Sequence, residues 1–259
     1  MSTEVVQQAE QAITSANGSG EFREFLPETA QQIRSPGEQR VEGLYLAWQE
    51  SLRFLTADAP TLALWQEHRY RFAHRVRMAL LAAPAGGAAS MMGPVIYGIY
   101  APAGLCYIGQ TTEAERRLGD LPVGESHHLG NTLPPELWDR VVVLHWPALL
   151  PMVPADERST AEEVGDEVCG LALEHALQVA TTPLLNLRRR GHNGEWKPRN
   201  LTKSRSRGAV HAARLPRLCE ITLATWQDLA TAQVPDEEFM RDTRAGRVVL
   251  PSRISRAAQ

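Results

Sequence analysis

The strongest constraint on what this chain can fold into is a short palindrome-like stretch. Val95 to Tyr100 and Leu105 to Gln110 are each rich in β-branched and aromatic residues, and Ala101-Pro102-Ala103-Gly104 lies between them. Runs of that composition read as strands, and a Pro/Gly-containing tetrapeptide supplies the turn, so the spacing predicts a β-hairpin. The two strands carry the tripeptides Gly98-Ile99-Tyr100 and Tyr107-Ile108-Gly109, with six residues between them, which places Tyr100 and Tyr107 on facing strands. Either tripeptide alone is commonplace, because strand tyrosines are usually core residues or cross-strand partners. Their information lies in the residues downstream of the hairpin.

Thr112-Glu113-Ala114-Glu115 matches a capping box, so a helix is expected from Thr112, carrying Arg116, Arg117 and Leu118 in its first turns. Val141 to Trp146 reads as a third strand, and Pro147, Pro151 and Pro154 mark the loop after it. Ser159-Thr160-Ala161-Glu162-Glu163 opens a long helix with apolar positions Val164, Val168, Leu171, Ala172 and Leu173, ending before Pro183. Residues 91–190 therefore read as one mixed α+β unit.

The flanks differ. Residues 1–90 read as a helical region, with Leu44, Leu46, Trp48, Leu52, Phe54 and Leu55, and then Leu62 through Leu80, at roughly helical spacing. Arg69, Arg71, His74, Arg75 and Arg77 interleave with the second set; a solvated helix face is the ordinary reading and a phosphate-contacting face the other. The Gly- and Pro-dense stretch 82–94 cannot continue a helix and is the expected boundary. Residues 191–259 form a basic C-terminal extension. From Leu187 to Leu218 there are ten basic side chains and one acid, Glu195, although the whole chain carries a net charge of −3. Arg188, Arg189, Arg190, Lys197, Arg199, Lys203, Arg205 and Arg207 are the expected phosphate-binding set. A short helix is expected around Thr225 to Ala232, followed by a polar, disordered tail.

Composition narrows the setting. Apolar residues make up 43%, enough for a core. Cys106, Cys169 and Cys219 form no CxxC pair and are odd in number, which argues against a zinc ribbon or a disulfide framework. With no secretory signal pattern and no apolar run long enough for a membrane span, a soluble cytoplasmic protein with no membrane partner is expected.

The stretch from about 95 to 187 resembles the GIY-YIG nuclease family. The resemblance rests on Gly98-Ile99-Tyr100, Tyr107-Ile108-Gly109, Arg117, a histidine at His127 or His128, Glu174 in Leu-Ala-Leu-Glu-His-Ala-Leu, and Asn186 in Pro-Leu-Leu-Asn. It implies a small three-stranded antiparallel sheet flanked by helices, and a metal-dependent endonuclease whose catalytic set is Tyr100, Tyr107, Arg117, His128, Glu174 and Asn186. The hairpin tip is shorter than family members usually carry, and Gln110 stands where some carry lysine. The implied roles match phosphodiester chemistry. Arg117 offers a fork of donors to phosphate oxygens, and Glu174 is an oxygen ligand for one Mg²⁺ or Mn²⁺. Tyr100 is the favoured base, Tyr107 orients the water, and Asn186 holds the site together by hydrogen bonds. His192-Asn193 lacks the second metal histidine of an HNH nuclease in a convincing frame.

Double-stranded DNA is the expected substrate, and a restriction-type or defence endonuclease the expected role. Cutting both strands then calls for a homodimer or sequential nicking. The alternatives are a repair or mobile-element nuclease and a noncatalytic nucleic-acid-binding module that keeps the fold. The retained tyrosines, Arg117 and Glu174 favour an enzyme.

Overall fold

The computed structural model describes residues 36–83, 92–123, 129–186, 188–190 and 196–254. These fall into two compact units that divide between Trp65 and Gln66. The first contains α1 (Pro36–Leu55) and the beginning of α2 (Ala59–Leu81). Asp58 starts α2: its carboxylate accepts from the Thr61 amide and hydroxyl, both at 2.8 Å, and these bonds hold its pKa below the usual carboxylate value.

From Gln66 onward the second unit is a mixed α/β layer structure. It continues with β1 (Val95–Ala101), β2 (Gly104–Thr111), α3 (Ala114–Asp120), α4 (Leu129–Thr132), β3 (Arg140–Leu144) and the long α5 (Ala155–Thr181). Then come β4 (Arg188–Arg190), β5 (Trp196–Pro198), α6 (Arg207–Ala212), α7 (Pro216–Thr231), β6 (Met240–Thr243), β7 (Gly246–Val249) and α8 (Pro251–Ile254). The main sheet is antiparallel throughout, in the order β2-β1-β3-β7-β6, while β4 and β5 form a separate ribbon.

The expected α+β class with helices around an antiparallel sheet is what is found. The sheet has five strands rather than three, because residues expected to be a disordered tail form the β6–β7 hairpin on β3. In β7 alternation is masked by burial on both faces: Gly246, Arg247, Val248 and Val249 are all buried. The expected short C-terminal helix is likewise longer, beginning at Pro216. The boundary at residue 90 falls inside the second unit, since Phe72, Val76 and Leu80 of α2 pack into its core.

Both sheet faces are covered. On one, Ile96, Ile108, Val142, Leu144 and Val248 meet Leu173 and Leu177 of α5 and Leu218, Trp226 and Leu229 of α7. On the other, Val95, Tyr97, Ile99, Val141 and Val143 meet α2 and Leu118 of α3. Successive residues point to opposite faces of a strand, so β1 splits its side chains between the two layers, which is why it reads as an unbroken apolar run.

Two arginines of the sheet and one glutamate of α5 hold helix ends in place. Buried Arg247 donates to the carbonyls of Ala79 and Leu80 at the end of α2, both at 3.0 Å, and forks onto Asp242 at 2.6 and 3.1 Å. Arg140 donates to the carbonyls of Leu229, Ala230 and Ala232 at the end of α7. At the opposite end of α7, buried Glu157 accepts from the amides of Arg217 (3.1 Å) and Leu218 (2.6 Å). Each places charge where the helix dipole and its unpaired backbone groups favour it. The helix expected from Thr112 begins at Ala114 instead. Its first amide, Ala114 N, donates to the Gly93 carbonyl at 3.1 Å, and the Thr111 hydroxyl accepts from the amide of the cap residue Glu113 at 3.0 Å. Among the described residues no helix is long and apolar enough to cross a membrane. All three cysteines are free.

Candidate active site

The hairpin register decides which tyrosines meet. Tyr97 pairs with Gly109 and Ile99 with Tyr107, so Tyr97, Ile99 and Tyr107 share a face. The rings of Tyr97 and Tyr107 lie 6.1 Å apart at 37°. Gly109 makes this possible: a Cβ there would sit 2.7 Å from Cζ and Oη of Tyr97 and 2.8 Å from Cε1 of Tyr107. The glycine of the second tripeptide is therefore the floor on which the two phenols converge.

Tyr100 is elsewhere. The register shifts by a bulge between Ile99 and Tyr100, so Tyr100 pairs with Leu105. Its side chain packs on the opposite face of the sheet, beside Trp226 and Arg140. Gly98 serves the same face, since a Cβ there would lie 2.6 Å from the Trp226 ring. Gly98 and Tyr100 thus build the seat for α7, and the expected pairing of Tyr100 with Tyr107 is replaced by Tyr97 with Tyr107. The physical reason is parity: Tyr97 and Tyr100 are three apart on one strand, and an odd separation sends them to opposite faces.

Two further elements bring charge to the phenols. Arg117 on α3 and Glu174 on α5 both lie within electrostatic reach of Tyr97 and Tyr107. The Nε of Arg117 is buried without a hydrogen-bond partner, a donor left open by the fold. The Glu174 carboxylate accepts from Nε2 of Gln178 at 2.8 Å. Burial pushes its pKa up to about 7, against the pull of Arg199 and of that hydrogen bond. Glu174 reaches this position because α5 breaks at Gly165, whose φ of +78° suits glycine; the second half of the helix then lies along β2. Gln110 marks the close approach: its Oε1 is buried and unpartnered, and a Cβ on Gly170 would lie 2.7 Å from it.

The phenols are held protonated. Burial drives Tyr97 far above the ordinary phenol value, with Tyr107 and Glu174 adding to it and Arg117 opposing. Tyr107 is also raised, first by burial and then by Glu174, while a hydrogen bond from Tyr97 and the Arg117 charge pull it back. Burial is the leading cause for both phenols.

Asn186 closes the edge of the hairpin. Its Oδ1 accepts from Ile108 N and its Nδ2 donates to Ile108 O, both at 2.7 Å, imitating a strand partner between Tyr107 and Gly109. Leu184 and Leu185 extend the contact through amides bonded to the carbonyls of Leu105 and Cys106. His128, and His127 beside it, lie outside the described residues.

The basic segment divides. Arg207 pairs with Glu167 at 3.0 Å, Arg214 with Glu163 at 3.0 Å and Arg217 with Glu220 at 2.6 Å. Lys197, Arg199, Lys203 and Arg205 are exposed, and no such pair holds them among the described residues. Arg199 is close enough to Glu174 and His175 to bias both titrations. Upstream, Arg69 on α2 pairs with Glu136 at 2.7 Å and Arg71 pairs with Glu67, so part of that basic row is engaged within the protein.

The residue missed by sequence reasoning is Tyr97. The available signal was the short hairpin tip: nine residues separate Tyr97 from Tyr107, against six between the tripeptides. Among the described residues no three His, Cys, Asp or Glu side chains gather, so the site offers one carboxylate and not a cage. No family model matches this chain, and neither a curated protein nor a solved structure does.

Proposed function

We propose that the chain is a GIY-YIG-type, metal-dependent endonuclease that hydrolyses phosphodiester bonds in DNA, with Tyr97 standing beside Tyr107 where the tripeptide pattern puts Tyr100. The observation that carries this reading is the meeting of Tyr97 and Tyr107 over Gly109, with Arg117 and Glu174 brought within electrostatic reach of the phenols by two other segments of the chain.

The donor set fits a hard, heavily hydrated cation. Mg²⁺ takes oxygen ligands, keeps several waters and commonly uses one or two carboxylates together with phosphate oxygens. Glu174 would hold it, and Mn²⁺ would be accepted by the same oxygen. When bound, such an ion neutralises charge on the phosphate and lowers the pKa of nearby water. The protein's own groups do the rest. Arg117 presents its guanidinium, including the unpartnered Nε, to the non-bridging phosphate oxygens and favours the charge that grows there. Tyr97 and Tyr107, both protonated phenols, align the attacking water, whose proton leaves to solvent. The water oxygen bonds to phosphorus as the bond to the leaving oxygen breaks. Asn186 locks the backbone between the two reacting segments of β2.

Plasmid nicking in Mg²⁺ tests this directly. Misplacing the attacking water costs about 10²-fold in rate, so Tyr107→Phe is expected to slow cutting by about that much, and Glu174→Ala is expected to abolish cutting. Tyr97→Phe is expected to cut at least about tenfold more slowly. Tyr100→Phe keeps near-wild-type cutting per folded molecule. A wild-type protein that binds DNA but cuts none would leave the noncatalytic module. An inactive Tyr100→Phe beside an active Tyr97→Phe would return the role to Tyr100. The role favoured for such an endonuclease is restriction or defence, and cutting both strands from a single site of this kind calls for two copies or sequential nicking.

A further inference from the structure

Of the described side chains between 37 and 65, none is buried. The first compact unit, which ends at Trp65, therefore has no core of its own among the described residues. A helix draws most of its stability from packing an apolar face, so the 20-residue α1, left uncovered, calls for a partner. Spacing defines the face it offers. Val41, Tyr45, Trp48, Leu52 and Leu55 follow one another at intervals of four, three, four and three residues, the heptad spacing of a helix–helix seam. These five and Leu44 fall within a stripe about 100° wide. Gln39, Glu42, Glu50 and Arg53 lie on the opposite half of the helix, while Leu46 and Phe54 lie off the stripe. Val41 and Leu44 are 66% and 62% exposed, and Tyr45 and Trp48 are each 54% exposed. The rings of Tyr45 and Trp48 stand 5.5 Å apart, tilted by 38°. Leu52 and Leu55 are half-buried.

We propose that this stripe is a homodimer seam, along which α1 packs against α1 of a second copy of the chain. A two-fold contact uses the same patch twice, and a heptad stripe is the natural complement of another heptad stripe. The exposed area suits such a contact. A whole aromatic side chain covers about 150–250 Å², so Tyr45 and Trp48 with Val41 and Leu44 offer on the order of 500 Å² per copy. Two copies then bury about 1,000 Å², the size that a specific interface has to reach. Charge also permits a like partner. The positions flanking the seam are Glu42 and Gln49 on one side and Leu44 and Ser51 on the other, so no row of like charges faces its own copy. Tyrosine and tryptophan at the centre, with charge kept to the rim, is the composition of an interface core. An anionic membrane surface or a nucleic acid fits less well. The polar half carries the acids Glu42 and Glu50, and Arg53 lies 3.7 Å from Glu50. Nothing in this association depends on the chemistry of the candidate site. Where both hold, the dimer supplies two sites with which both strands of a duplex can be cut.

Sedimentation equilibrium of the full chain over a range of concentrations tests the seam. Wild type is expected to show a monomer–dimer equilibrium. Tyr45→Glu combined with Trp48→Glu is expected to raise the dimer Kd at least about 100-fold, whereas Phe54→Glu, off the stripe, leaves it unchanged. If the double variant melts early, Val41→Lys alone, at an exposed position, is expected to raise Kd at least about tenfold. A wild type that is monomeric at every concentration overturns the inference and leaves the stripe to another occupant, the chain's own first 35 residues among them. A dimer that the double variant does not weaken lies on a different surface and also overturns it. Equal loss in Phe54→Glu removes the stripe as the seam. Binding of monomeric wild type to phosphatidylserine vesicles, lost in the double variant, would assign the face to a membrane instead. A wild type that dimerises through the stripe and cuts no DNA fails the nuclease reading alone, and a monomer that cuts DNA fails the seam alone.

Discussion

Glu174 makes a quantitative demand on the fold. Its carboxylate is drawn into the site by α5, and burial raises its pKa from an ordinary 4.5 to about 7. In the unfolded chain it binds a proton only below the lower value; in the folded chain it keeps that proton to the higher one. Between the two the native state binds more protons, so stability contributed by the protonated carboxyl is complete below pH 4.5 and is lost as pH rises through about 7. Each unit of separation is worth about 1.4 kcal/mol, which bounds the loss at ~3 kcal/mol. Partial access of water to the half-buried residue brings the expectation to about 2 kcal/mol. Glu174→Gln removes the ionisation and leaves an oxygen that can still accept from Gln178. The variant is therefore expected to match wild type at pH 4 and to exceed it by about 2 kcal/mol at pH 8 in the absence of divalent metal. Urea titration at the two pH values reads this as a midpoint raised by about 1 M at the higher pH, given slopes of about 1–3 kcal/mol per molar. Mg²⁺ is expected to narrow the gap at pH 8 by stabilising wild type alone. Parallel pH profiles for the two proteins, or a variant less stable than wild type at pH 8, would refute the argument that burial of an ionisable carboxylate shapes this site.

Other consequences arise from single contacts. Gly109→Ala would place a Cβ against both phenols; cutting is expected to fall at least about 10²-fold with a melting temperature only modestly lowered. Gly98→Ala strikes the Trp226 ring on the other face and is expected to cost about 1–3 kcal/mol of stability, with activity per folded molecule retained. Arg247→Met strips two helix carbonyls and Asp242 of their partner. Breaking a buried pair in this way costs about 3–5 kcal/mol, read as a melting temperature lower by at least about 6 °C. Asn186→Ala leaves both backbone groups of Ile108 without their partner and is expected to cost about 2 kcal/mol and to slow cutting more than it lowers stability; equal effects on both would make Asn186 a purely structural clamp.

Local chemistry made much of this molecule legible. The hairpin follows from two β-rich runs around a Pro/Gly turn, and α5 from its spacing and the proline after it. Arg117, Glu174 and Asn186 sit on the elements where their order along the chain places them. The start of α3 lies two residues later than the capping pattern suggests: its first amide, Ala114 N, finds the distant Gly93 carbonyl instead of the Thr112 hydroxyl. The strand β7 was unreadable because it is buried on both sides, and its buried arginine looks from sequence like a surface charge.

Which tyrosine belongs to the site is a different kind of question. The sequence by itself determined that a tyrosine of β1 would oppose β2, since hairpin formation needs only neighbours. It could not determine which one, because Tyr97 and Tyr100 differ in the face they occupy, and a face acquires meaning only when helices cover it. The tertiary structure decided this by laying Trp226 of α7 on Gly98 and by bringing Glu174 and Arg117 to the phenols over Gly109. The same holds for the arginines after Asn186. Their charge is written in the chain, but whether each faces a carboxylate or stands free for a phosphate depends on which acidic residues α5 presents across the fold.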